Sequence, residues 1–229
     1  MLRDHDGPAL VGFDFPMGYP RTTRGAEVMP QGRDLAALLA ERLEDGDDNA
    51  NNRFDVAADL NEQIARGLGL PHGPFWGCTT RPPAGLNRTR PEPFPVPEYR
   101  ACEAQLRARG HLPQSPWKLA YPASVGSQTL TGMARLHGLL TDPAIGPRCW
   151  LWPFEPAPDR PDGIAIAEIW PGLSAFDAPR YAGVSEIRDA RQVIATLDML
   201  RRLDPRTERA DGAGGWILNA ATAAGRQAD

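Results

Sequence analysis

The sequence predicts an α/β fold: a small sheet covered by helices and interrupted by a long Pro-rich, partly helical insertion. Three observations predict it. Two short runs, Ala9–Phe15 and Gly163–Trp170, are apolar on both alternating faces, the pattern of strands covered from above and below. Five segments carry apolar residues at helical spacing. Among 229 residues, 24 Pro and 23 Gly require long irregular connections.

The chain enters a strand almost at once. In Ala9-Leu-Val-Gly-Phe-Asp-Phe-Pro-Met-Gly-Tyr-Pro20, one face is Ala9, Val11, Phe13 and Phe15, and the other is Leu10 and Gly12. This predicts a central strand. Asp14 interrupts the second face at the strand's carboxyl end, and Pro16, Gly18 and Pro20 then break the chain. Ligands of open α/β sheets gather at the carboxyl ends of strands, so Asp14 is a first candidate for chemistry.

Arg33–Leu43 reads as a helix, followed by a solvated acidic turn, Glu44–Asp48. Phe54–Arg66 is a second helix with Gly67 as its stop. Asn51 or Asn52 caps it, or its N-terminus and Arg53 together hold an anion; the residues allow both readings. Residues 71–97 are Pro-rich and contain Trp76, which either stacks on a base or packs in the core. Glu98–Arg109 is a short helix with Tyr99, Cys102 and Leu106 inward. Ser124-Val-Gly-Ser-Gln128 opens a helix over Thr129–Leu140. Gly126, Ser127 and Gln128 there form either a phosphate cradle or a turn and cap; the GK[ST] ending of a P-loop is absent.

Cys149–Glu155 and Gly163–Pro171 are two further strands, expected as neighbours across a turn rich in Pro and Asp. Glu155 and Glu168 each follow an apolar run. A buried carboxylate is kept by an arginine partner or by a metal, and both remain open for each acid. Ser185–Leu203 is the last long helix, with Asp189 in its first turns. Gly215–Leu218 is a short apolar patch that closes the fold, and the last ten residues are expected to fray.

Composition bounds the function. Hydrophobic content of 41% and charged content of 24% are those of a globular chain, and the net charge of −4 argues against tight non-specific binding to duplex nucleic acid. A local basic groove stays compatible with that charge. Lys118 is the only lysine; the arginines suit bidentate phosphate or carboxylate contacts, or reflect genome composition. Cys78, Cys102 and Cys149 are few and far apart, which predicts a reduced, cytoplasmic chain without structural zinc. No signal peptide and no membrane-spanning run is present, so no membrane partner is expected.

Val11–Pro20 resembles the Gly-[Ile/Phe]-Asp-x-Pro-x-Gly-x-Pro segment of the DUF429 family of predicted nucleases. More closely, the chain resembles an alphaproteobacterial group related to it, some members of which are associated with molybdopterin-guanine dinucleotide synthesis. The matching pieces run in order over nearly the whole chain: Asn51–Phe54, Gly73–Gly77, Ser124–Gly132, Trp152–Glu155, Ala167–Pro171, Asp189–Val193 and Gly215–Leu218.

The resemblance implies an RNase H-like mixed sheet in one domain over 1–229, with 21–148 as the insertion. It implies a magnesium-dependent phosphodiester hydrolase with Asp14, Glu168 and Asp189 as catalytic metal ligands and Glu155 as a further one. Asn52, Arg53, Trp76, Gly126, Ser127 and Gln128 would hold the anionic substrate, a nucleotide or single-stranded or structured nucleic acid. Family members carry an earlier strand with an Asp-Trp-Ser-Ala-like motif, whereas Met1 stands just before what would be the fourth strand. The first strands are therefore expected to be absent and nuclease activity weak or absent. The alternatives are a nucleotide or pterin-nucleotide binding protein and a non-catalytic interaction protein.

Overall fold

The computed structural model describes residues 2–48, 50–208, 210 and 214–220. Its elements are β1 (Ala9–Phe13), α1 (Gly32–Arg42), α2 (Arg53–Leu68), α3 (Ala101–Ala108), α4 (Gly126–Thr141), β2 (Cys149–Trp152), β3 (Ile164–Glu168) and α5 (Arg188–Leu200). The α/β class and every expected helix are present. α2 runs past Gly67 and stops at Gly69, whose left-handed φ of 66° lets Leu70 N–H reach back to Ala65 O at 2.8 Å. α4 starts three residues before the expected Thr129, at Gly126.

The three strands lie in the order β1-β3-β2, and both pairings are parallel. This corrects two expectations. The sheet is parallel, not mixed, over the described strands. β2 and β3 are neighbours, as expected, and residues 153–163 carry the chain back along the sheet so that the two strands point the same way. The central strand is β3, with Ile164 paired to both Ala9 and Cys149, whereas β1 lies at an edge. Apolarity on both faces reports the layers above and below a strand; it carries no information about neighbours in the plane.

Alternating side chains divide the core. Val11, Ile164, Ile166 and Leu151 face a large cluster that includes Leu35 and Leu39 of α1, Leu60 of α2 and Leu130 and Met133 of α4. Leu10, Ala165, Ala167, Ile169 and Trp150 face a smaller cluster with Cys102 and Leu106 of α3, Leu200 of α5 and Trp216–Leu218. The Pro-rich insertion joins the larger cluster. Tyr19 stacks on Trp117 at 4.4 Å between ring centroids, and Phe75 meets both edge-on at 5.5 and 5.0 Å.

The Gly215–Leu218 patch closes the fold as expected: Leu218 N–H donates to Glu168 O at 2.8 Å, alongside a bridge from Ile217 to Glu168. The fraying expected at the C-terminus falls, except for Ala220, outside the described residues. Among the described residues no helix is long and apolar enough to cross a membrane.

Candidate functional site

The carboxyl ends of β1 and β3 open onto a cavity of about 300 Å³. Asp14, Phe15, Glu168 and Trp170 come from the strand ends, Glu103 from α3, Gln114 from the loop after it, and Ser124, Val125 and Gln128 from the start of α4. The strand register pairs Phe13 with Glu168, so Asp14 is one residue past an acid that ends the neighbouring strand. The structure therefore brings together two of the acids expected from the sequence, Asp14 and Glu168.

Their environments differ. Glu168 is buried and held by Arg100, whose Nη1 and Nη2 donate to its two carboxylate oxygens at 2.6 Å each; Met17 N–H adds a bond at 3.1 Å. Arg100 is itself fully buried and also donates from Nε and Nη2 to Glu103 Oε1, at 3.1 and 2.8 Å. Glu103 reaches back to Arg100 N–H at 2.7 Å across the start of α3. One guanidinium thus serves two buried carboxylates, and desolvation holds Glu103 above the usual carboxylate range despite it.

Gly215 passes directly over this cluster. Its φ is 94°, and a Cβ there would lie 2.8 Å from the Phe154 ring and 3.2 Å from Arg100 Nη1. Only glycine fits both the conformation and the space.

Asp14 has no hydrogen-bond or ion-pair partner among the described residues, and its side chain is open to solvent. Burial of its surroundings, and secondarily the charge of Glu168, push its carboxyl up to about 6. It is the cavity carboxyl available for proton transfer near neutral pH.

The other expected acids stand elsewhere. Glu155 is paired with Arg33 Nε at 2.6 Å and accepts Leu151 N–H at 2.9 Å. Asp189 is exposed on α5 and is not part of the cavity lining. Among the described residues no group of three His, Cys, Asp or Glu is arranged to hold a metal ion. Glu168 also carries a guanidinium where a cation would sit. As paired here, with both Glu168 oxygens on Arg100 and with Glu155 and Asp189 elsewhere, these residues do not form the magnesium centre implied by the resemblance.

Of the residues expected to hold an anion, Arg53 and Ser127 meet, and both are bonded within the protein. Arg53 Nε donates to Ser127 Oγ at 3.1 Å and its Nη1 to Asn51 Oδ1 at 2.7 Å, while Ser127 Oγ donates to Leu119 O at 2.6 Å. Asn52 joins the turn after α1, accepting Glu44 N–H at 2.9 Å and donating to Arg42 O at 3.0 Å; it makes no side-chain cap. Gly126 N–H is taken by Lys118 O at 2.8 Å, and a Cβ there would lie 2.6 Å from the same oxygen. Its glycine thus serves a close backbone crossing. Gln128 alone of this set lines the cavity. Trp76 packs against the larger core cluster, with Lys118 Nζ 5.9 Å from its ring centre.

Two strained residues precede α4: Tyr121 and Ala123 have φ of 77° and 61°. Ala123 lines the cavity, and the Tyr121 hydroxyl is fixed 3.0 Å from Cys78 O.

Sequence reasoning missed Arg100, Glu103 and Gln114. One signal was present: Glu103 lies four residues after Tyr99 and one after Cys102, on the inward stripe of its helix. An acid in that stripe demands a buried cation. Fold and site together define an α/β protein with a carboxyl-lined cavity at the carboxyl edge of a parallel sheet. No protein-family profile, curated protein or solved structure matches the chain.

Proposed function

We propose that this cavity is the active site of a hydrolase with Asp14 as its acid–base group. The observation that carries the reading is Asp14 itself: an unpartnered carboxyl, tuned to about 6, at the rim of the sheet. As a carboxylate it takes a proton from water while the water oxygen attacks the substrate. It then returns that proton to the leaving group. The apolar wall of Phe15, Ile169 and Trp170 supports a ligand body, and Gln114, Ser124 and Gln128 supply hydrogen bonds. Three carboxyls and no basic side chain line the cavity, which favours a neutral or cationic reacting group over a bare anion.

The test is a panel of chromogenic esters, amides, glycosides and phosphodiesters, assayed with the wild type and Asp14→Asn. We expect turnover of at least one class, a rise in rate through pH 6, and a loss of about 10²- to 10⁴-fold in the variant. Equal rates from both proteins overturn the assignment.

A second reading, magnesium-dependent phosphodiester hydrolysis, is favoured by the adjacency of Asp14 and Glu168 at neighbouring strand ends. It requires Glu168 to exchange Arg100 for the ion. Calorimetric titration with magnesium separates the two readings. Uptake at micromolar concentration that disappears in Asp14→Asn supports the second; no uptake removes it.

A further inference from the structure

We infer that the outer face of α5 is a self-association surface on which a second copy of this chain docks antiparallel. The helix is anchored by Ala195, Thr196 and Leu200, and Thr196 Oγ1 lies 2.9 Å from Ser174 Oγ. Its other side carries Ala190, Ile194 and Leu197, and Ile187, the extended residue just before the helix, precedes them in the 3-4-3 spacing of a helix–helix seam. That seam faces outward: Ile187 is 67% and Leu197 51% exposed, and Val193 beside them 43%. Phe176 and Val184, in the turns before α5, are exposed as well. A contiguous apolar helix face on the outside of a soluble domain marks an interaction site.

The charges on one flank of the seam select the occupant. Arg191 follows Ala190, and Asp198 follows Leu197, so the two sit at equivalent positions one heptad apart. Arg191 is half-buried, with its Nε shielded from solvent, and makes no side-chain ion pair among the described residues; Asp198 accepts a hydrogen bond from the Tyr181 hydroxyl and lies 3.7 Å from Arg202. A two-fold axis crossing the helix near residues 194 and 195 reverses the second helix and keeps this flank on the same side. Arg191 of each copy then faces Asp198 of the other, giving two equivalent ion pairs around a closed, isologous interface. A surface that complements itself under a two-fold rotation is fitted to its own copy.

Sedimentation velocity of the full chain, with charge reversals, tests this. We expect a dimer at micromolar concentration and a monomer for Leu197→Glu. Arg191→Glu and Asp198→Arg alone should each weaken the dimer about tenfold or more, by losing two pairs and creating two like-charge contacts. The double reversal, Arg191→Glu with Asp198→Arg, should return to within about threefold of wild type, because it rebuilds both pairs with their signs exchanged. Circular dichroism confirms that each variant is folded. A monomeric wild type would assign the seam to a different protein and overturn the proposal, as would a double reversal no tighter than the singles.

Discussion

β1 and β3 are written in nearly the same way and end differently. Each has six apolar positions, an acid among them and a proline directly after: Ala9-Leu-Val-Gly-Phe-Asp-Phe-Pro16 against Ile164-Ala-Ile-Ala-Glu-Ile-Trp-Pro171. β3 is buried at every position, while β1 is half-buried throughout. Glu168 is clamped by a guanidinium and Asp14 is left open. The fate of each acid is therefore decided in the plane of the sheet and by what the insertion brings over it. α3 delivers Arg100 to the central strand and nothing basic to the edge strand. A clamped acid and an open acid follow from one sequence pattern.

The sharpest way to break this contrast is to remove the clamp. Arg100→Met leaves Glu168 and Glu103 buried without a counter-charge, and should cost about 3–5 kcal/mol of stability. Urea unfolding measures it as a lower midpoint at constant slope. Adding Glu168→Gln and Glu103→Gln should recover much of the loss, because the penalty lies in the uncompensated charges. A loss below about 1 kcal/mol in the single variant would mean that Glu168 has another means of neutralisation, and that the two strand ends are not distinguished by Arg100.

The strands themselves offer the next comparison. Val11 and Ile166 are direct register partners on the same face of the sheet. Ile166 is fully buried at the centre, so Ile166→Ala should cost about 2–5 kcal/mol through lost transfer energy and the cavity left behind. Val11 is half-buried at the edge, and Val11→Ala should cost about 1 kcal/mol. Equal losses in thermal or urea unfolding would show that β1 is covered as well as β3 is.

These two strands also show how much of the molecule could be read in advance. The strand segments and the five helices follow from alternation and helical spacing, which are local properties. Strand order does not, because an edge and a centre with the same layers above and below have the same pattern. The site was half legible. Asp14 and Glu168 stood out as acids closing apolar runs, and they do converge. Arg100 lies 68 residues from Glu168 along the chain, and no local rule joins them. Ser127 and Arg53 were singled out as partners for an anion, and in the fold they bond to one another, to the Leu119 carbonyl and to the Asn51 amide oxygen. Glycines were the least legible: Gly126 and Gly215 answer to close backbone or ring approaches that appear only once the fold is assembled.

The finest test concerns Asp14 alone. Its carboxyl rises from an ordinary 3.8 to about 6, first by desolvation and second by the charge of Glu168. Carboxyl-carbon NMR should find its midpoint near 6 in the wild type. Glu168→Gln should lower that midpoint while leaving it above 3.8, because the larger cause remains. The same shift enters stability with a definite sign. Between pH 3.8 and about 6 the folded chain keeps a proton that the unfolded chain has released. Stability contributed by this group is thus full below 3.8 and declines as pH rises through 6. Asp14→Asn removes the charge and should be slightly more stable than wild type at pH 7, with the two converging at pH 3.5. A variant less stable at pH 7 would mean that the Asp14 carboxylate has a stabilising partner, and that β1 and β3 end in the same kind of acid after all.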